Sequence, residues 1–316
     1  RIGGFPVNYF TVQNQLLPNE HVVKNPVETK LINATKISGR TQKGLGIGFF
    51  NALSAPQYAI VEDNNFRQRK IETSPLTNYN ILVLNQSLNN NSSISLINTN
   101  VWRSGKTYDA NVTAAIFDFN DKKNRWNYGG EIASSNLFNA SQNGKTITGF
   151  SSKLYFGKSS GRFTFKINQS LSNDKYNTRD MGYFTFNNFL DHSVYMGYNW
   201  LKPTNWYNKF FLNFNVFYSR QLTPGKFSSA AVNLNANTQL KSLWYVGGMI
   251  GYEPKPNDFY EPRAKGRYFR GWESIYGNLW VESNDAKKYK ANINLFYVSR
   301  SLFNGYKYEF EFFHRY

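Results

Sequence analysis

Few residues in this chain have the types and spacing to do chemistry. The densest group is EPKPNDFYEPRAKGRYFRGWES, residues 253–274, where Glu253, Asp258 and Glu261 sit close to Arg263, Lys265, Arg267 and Arg270. Arginine forks match carboxylates and phosphates, so the stretch reads either as a self-paired charged loop or as a docking surface for a partner protein, a glycan or a lipopolysaccharide phosphate. FRQRK, with Arg67, Arg69 and Lys70, would serve the same anionic surface from another loop. Asp191-His192-Ser193 holds the residue types of a hydrolytic triad, but neighbours in a strand point to opposite faces and cannot form one in cis. His21, His192 and His314 are far apart and lack ligand spacing, so no metal is expected. GLGIG (44–48) continues into FFNALSA, a strand and not the helix that a nucleotide fingerprint needs. Its glycines read as a smooth patch open to a loop or plug. GKSSG (157–161) lacks the Lys-Ser/Thr placement of a phosphate loop and reads as a turn. No catalytic residue and no cofactor is assigned.

The elements that would position these groups are strands. NKFFLNFNVFYSRQLTPGKFSSAAVNLNANTQL, residues 208–240, sets Phe210, Leu212, Phe214, Val216 and Tyr218 against Asn213 and Asn215. After the turn it sets Ala230, Val232, Leu234 and Ala236 against Asn233, Asn235 and Asn237. YKANINLFY places Asn292 and Asn294 opposite Ile293 and Leu295, and YKYEFEFF repeats the pattern near the end. The same reading gives fifteen candidates: 30–40, 43–54, 75–88, 93–102, 109–120, 125–138, 145–157, 162–172, 188–200, 208–220, 227–240, 242–254, 267–283, 289–300 and 306–316. Soluble strands usually run about five or six residues, whereas about 9–11 tilted residues cross a bilayer.

Composition narrows the class. The 316 residues are 41% hydrophobic with a mean hydropathy of −0.56, and no apolar run is long enough for a helical span. Cysteine is absent, which removes disulfides, thiolate metal sites and a cysteine nucleophile. The +17 net charge is scattered through turns and not massed on one element, so nucleic acid is not the expected partner. Connections alternate between short ones, such as 89–92 and 121–124, and longer ones, such as 55–74, 173–187 and 255–266, as in barrels with short periplasmic turns and larger external loops. That alternation sends 30–40 inward and leaves residues 1–29 outside, with at least one strand expected before Arg1. The expected fold is all-β, a transmembrane antiparallel barrel of about 16 strands or more. Its apolar stripe would meet lipid, with Trp102, Trp126, Trp200, Trp206, Tyr218 and Trp280 as interfacial girdles. Asn213, Asn215, Asn233, Asn235, Asn292 and Asn294 would line a wet lumen. A soluble β-sandwich pair or propeller is the competing architecture.

The segments TKLINATKISGRTQKGLGIGFFNALSAP (29–56), NYNILVLNQSLNNNSSISLINTNVWRSGKTYDANVTAAIFDFN (78–120), MGYFTFNN (181–188) and NDFYEPRAKGRYFRGWES (257–274) are similar to a family of Bacteroidota outer-membrane proteins. That family's carboxyl-terminal barrel is a domain of unknown function, often preceded by a sandwich like the family 9 carbohydrate-binding modules. The resemblance covers nearly the whole chain and implies that residues 1–316 are one outer-membrane barrel domain, a fragment without the periplasmic sandwich. It carries no catalytic residues. The expected function is non-enzymatic: a multi-pass barrel of the bacterial outer membrane, acting as a pore or as a subunit of a larger transport, secretion or assembly complex. Expected partners are outer-membrane lipid and lipopolysaccharide, other outer-membrane or periplasmic proteins, and a polysaccharide. The alternative is a membrane anchor for a saccharide-binding amino-terminal module; a membrane hydrolase using His192 or His314 is a third class.

Overall fold

A computed structural model describes residues 5–141, 143–180, 182, 186–264, 266–301 and 305–316. A 3-10 helix, Tyr9–Gln15, precedes β1 (His21–Lys24), β2 (Leu31–Arg40), β3 (Leu45–Ser54), β4 (Gln57–Glu62), β5 (Gln68–Ser74), β6 (Thr77–Ser87) and β7 (Ser93–Arg103). There follow β8 (Asp109–Asn120), β9 (Trp126–Phe138), β10 (Ile147–Lys158), β11 (Phe163–Ser172), β12 (Phe189–Trp200), β13 (Tyr207–Arg220), β14 (Phe227–Leu240) and β15 (Tyr245–Glu253). Two-residue strands β16 (Asn257–Asp258) and β17 (Phe269–Arg270) pair with each other, and β18 (Ser274–Glu282), β19 (Lys290–Arg300) and β20 (Gly305–Arg315) complete the chain.

Fifteen strands form one antiparallel sheet in the order β2-β3-β6-β7-β8-β9-β10-β11-β12-β13-β14-β15-β18-β19-β20. These are the fifteen segments that alternation marks out. Fourteen agree to within three residues at each end, because a two-residue period leaves little freedom over such lengths. The segment 267–283 is shortened to Ser274–Glu282, since Phe269–Arg270 turns back onto Asn257–Asp258. The pairing does not close into a ring among the described residues. β2 and β20 each have one neighbour, and every residue of both is exposed. A separate three-stranded sheet, β1-β4-β5, was not expected from the sequence. Val12, Ala59, Val61 and Ile71 form its buried core with Leu16 and Val22 against them.

The chain divides into two compact units, Arg1–Phe117 with Glu131–Ser151 and Lys175–Asn187, and Asp118–Gly130 with Ser152–Asp174 and Asn188–Tyr316. In the second unit, cross-strand register fixes which residues share a face. One face carries Phe163, Phe165 and Ile167 of β11 and Val194, Met196, Tyr198 and Trp200 of β12. It continues through Phe210, Leu212, Phe214 and Val216 of β13, Val232 and Leu234 of β14, and Val246, Ile250 and Tyr252 of β15. Ile275, Leu279 and Val281 of β18, Ile293, Leu295 and Tyr297 of β19, and Tyr308, Phe310 and Phe312 of β20 complete it. None of these side chains is charged, and among the described residues no element packs over them: Ile250 and Leu279 are each 60% exposed and Phe310 65%. Strand spacing and rise make this face about 34 Å wide and about 27 Å along the strands, on the order of 900 Å². Soluble monomers rarely expose a contiguous apolar patch beyond a few hundred Å².

In the first unit the two faces are treated differently. Val101, Ala110 and Leu137 are buried with Tyr79, Tyr108, Ala140 and Ile147 packed against them. The segment after β11 lies over this side, where the Asn177 N–H donates to Ser135 Oγ at 3.0 Å. Gly149 is needed there, because a Cβ would overlap the backbone of Lys175 and Tyr176. The opposite face, with Ile37, Ile47, Phe49, Leu82 and Leu96, is exposed. Two of the three glycines of GLGIG have local partners. Gly44 sits in the turn at φ +85°, and Arg40 lies beside Gly46, donating to Gly44 O, Ser87 Oγ and Asn85 Oδ1.

Candidate functional site

The face of the second unit opposite the apolar one is built from amides. Asn213 pairs across β13–β14 with Asn235, and Asn215 with Asn233. Asn215 Nδ2 donates to Asn233 Oδ1 at 2.8 Å and to Asn213 Oδ1 at 3.2 Å. Asn235 Nδ2 donates to Asn233 Oδ1 at 2.7 Å and to Asn213 Oδ1 at 3.0 Å. Four of the six residues expected to line a lumen thus form one hydrogen-bonded square. Asn294 shares that face and donates to Glu311 at 3.2 Å; Asn292 lies opposite Glu282 on one side and Phe313 on the other.

Aromatic rings and mixed charges surround the amides. Trp280 pairs with Gly247 and Tyr276 with Gly251, and a Cβ at either glycine would overlap the ring. Flat rings therefore lie on the amide-bearing side, supported by strand backbone. This corrects the girdle assignment of Trp280: through Gly247 and Asn237 it shares the face of Asn235. Trp200 and Tyr218 do belong to the apolar face, through Phe210 and Val216. Lys209 lies 5.3 Å from the Tyr245 ring and Lys166 4.4 Å from the Tyr155 ring, while Lys307 pairs with Glu309. An amide offers two donors and two acceptor sites without charge, so the face can exchange hydrogen bonds with hydroxyl-rich molecules.

The charged loop after β15 is shaped by its own backbone contacts and not by ion pairs among its described residues. Asp258 Oδ1 accepts from the Tyr260 and Glu261 N–H groups and so shapes the turn. Glu261, Arg263, Arg267 and Arg270 are exposed, and among the described residues no salt bridge joins the loop's charges. Lys265 lies outside the described residues. Exposed Tyr260, Tyr268, Phe269 and Trp272 stand among the arginines, with Phe259 and Tyr268 rings 5.2 Å apart. Sequence reading singled out the charges and passed over the aromatics.

The FRQRK segment is a hairpin tip between β4 and β5. Asp63 Oδ1 accepts from the Asn65 and Arg67 N–H groups, holding Phe66 at φ 61° and 83% exposed. Arg67 and Lys70 are exposed, but Arg69 is engaged by Glu20 through Nε and Nη2, at 2.6 Å each, and by Gln15 O. The Arg69 hydrogen bond, with the Leu17 N–H, holds the Glu20 carboxyl at about 2, below its ordinary 4.5. A depressed carboxylate stabilises the folded form above its unfolded pKa and loses that contribution as pH falls from about 4.5 through about 2. Protection factors of the β1 and β5 amides, exchange rates referred to the intrinsic rate at each pH, should therefore fall between pH 4.5 and 2.5 in the wild type. In Glu20→Gln they should be low and flat across that window.

His192 and Asp191 lie on opposite faces of β12, opposite Tyr218 and Ser219 respectively, and Ser193 Oγ accepts from Asn168 at 3.0 Å. The His314 ring stacks on Phe312. Among the described residues, no group of three or more His, Asp or Glu could hold a metal ion. A family model matches residues 1–316, the whole sequence, and its description is a domain of unknown function (DUF5916). No curated protein matches.

Proposed function

The chain belongs to the family described as domain of unknown function (DUF5916), and from that premise we propose that it is the wall of a bacterial outer-membrane β-barrel. The observation that carries this reading is the uncharged, uncovered face running from β11 to β20. In water such a face would be covered or would aggregate; against hydrocarbon it is the lowest-energy side to present. Hydrocarbon also requires that the free edges of β2 and β20 find strand partners, since unpaired backbone groups are too costly there. The amide face then looks onto water. It binds or passes a neutral, hydroxyl-rich chain of the saccharide class, with Asn213, Asn215, Asn233 and Asn235 exchanging hydrogen bonds and Trp280 and Tyr276 offering flat surfaces. The role is non-enzymatic, as a pore or as a subunit of an outer-membrane transport or assembly complex. The arginine and aromatic loop at 254–273 is the docking surface for anionic lipopolysaccharide or a partner protein.

Single-channel recording of the protein in planar bilayers tests the pore. Expected are discrete conductance steps that a soluble neutral oligosaccharide reduces in wild type and reduces less in the Trp280→Ala variant. Absence of conductance, together with absence of a stably co-purifying protein, overturns the proposal.

A further inference from the structure

The exposed face of the first unit has a polar interruption that the lipid-facing role does not explain. Cross-strand register places Thr35, Asn51, Asn80 and Asn100 in one row across β2, β3, β6 and β7. Asn111 of β8 extends the row by donating to Asn100 Oδ1 at 2.5 Å. Asn98 and Asn78 flank it on the same face. The amides form a ladder: Asn51 Nδ2 donates to Asn78 and Asn80 at 2.6 and 2.8 Å, Asn80 to Asn78 at 3.1 Å, Asn100 to Asn98 at 2.5 Å and Asn98 to Thr113 at 2.7 Å.

Height makes this costly in lipid. Outward apolar residues run from Leu45 to Phe49 on β3 and from Leu82 to Leu84 on β6 before the amides begin, and resume beyond them at Leu53 and Trp102. Five residues of strand span about 17 Å, whereas crossing a bilayer takes about 9–11 residues. Hence the ladder occupies height that lipid would otherwise cover. Among the described residues, ladder bonds use two of the four hydrogen-bonding positions on each of Asn51, Asn78, Asn80, Asn98 and Asn100. The remainder need a polar partner or cost free energy in hydrocarbon.

Resting on the membrane reading above, we infer that this ladder is the contact between two copies of the chain, meeting ladder to ladder about a two-fold axis. Charge decides the occupant. Phosphate-bearing lipid needs cations, and the ladder's rows contain no Lys or Arg. A chain of net charge +17 repels its own copy except through a neutral surface, and the ladder is neutral. Amides are also self-complementary, each supplying both donor and acceptor, as a contact between identical patches requires.

The absence of cysteine allows a direct test. Asn51→Cys, Asn80→Cys and Asn100→Cys, each alone in the full membrane-embedded protein, are treated with a short bis-maleimide. Expected is a band of twice the chain's mass from each. It should disappear when Asn80→Leu and Asn100→Leu are added to Asn51→Cys, while heat-modifiable migration of the folded protein persists. No doubled band, or a band of another mass, overturns the inference. A separate Leu234→Cys variant reports on the membrane reading: accessibility to a lipid-phase reagent, with no doubled band from the ladder, overturns the dimer alone. Labelling of Leu234→Cys by an aqueous reagent overturns the membrane reading.

Discussion

Leu234→Arg should cost about 2–4 kcal/mol of folding free energy in lipid vesicles, the range for a cation near the midplane of a barrel's outer face. That is roughly a 30- to 900-fold change in the folding equilibrium. Leu234 stands on the apolar face between Phe214 and Ile250 in cross-strand register. Its neighbour Asn235 points to the other face, among Asn213 and Asn233. Asn235→Arg should therefore change stability by less than about 1 kcal/mol, since the new charge enters a wet, polar surface. Urea titration of each variant folded into vesicles measures both. Equal costs would mean that the faces are not in different solvents. A larger cost at Asn235 would mean that the wall is inside out. Leu234→Phe, which keeps the apolar character, separates the effect of charge from any effect of altered packing.

The same asymmetry explains why so much was legible beforehand. In strands each residue reports its face by parity, so a chain whose two faces differ in polarity writes its strand list into its sequence. Phe210, Leu212, Phe214, Val216 and Tyr218 show this, each registering with the same face of β12 and β14, while Phe211 and Phe217 fall on the amide face and break the pattern. Parity gives no information on what connections do. β4 and β5 lie inside a stretch read as a loop, because their core is completed by Val12 in the 3-10 helix, far away in sequence. Position near a strand end suggests a girdle for Trp280, but its parity with Asn278 and the facing Gly247 fix the ring on the amide side. Arg69 could not be separated from Arg67 by sequence, since its partner Glu20 is distant along the chain. The ladder at Asn51, Asn80 and Asn100 was hidden for a related reason. Parity puts Asn51 on the face of Phe49 and Asn80 on the face of Leu82 within each strand, but only register shows that the amides of β3, β6 and β7 align into one row.

Asp180→Ala should release the segment that covers the first unit's buried side. Asp180 accepts from Arg103, which is nearly buried (side chains 8% and 4% exposed), and from the Tyr108 hydroxyl at 3.1 Å. Arg103 also donates to Tyr108 O at 2.7 Å, and burial raises the Tyr108 phenol above its ordinary range, so the hydroxyl remains a donor. Removing the carboxylate leaves a buried guanidinium without its counter-charge, a loss of about 3–5 kcal/mol in such settings. The cheapest relief is local: the segment lifts and water reaches Arg103. Hydrogen exchange at the Asn177 amide, bonded to Ser135 Oγ, should then accelerate by about two orders of magnitude or more, while β13 and β14 stay protected. Arg103→Met with Asp180→Leu should recover much of the protection, because a packed apolar pair carries no desolvation cost. Gly149→Ala reaches the same outcome without touching a charge, by placing a methyl group where the Lys175 and Tyr176 backbone passes. If both single variants free the Asn177 amide and raise single-channel conductance, the segment is held by this ion pair and by contact at Gly149, and it narrows the polar side. If Asp180→Ala leaves Asn177 protected, the ion pair does not hold the segment.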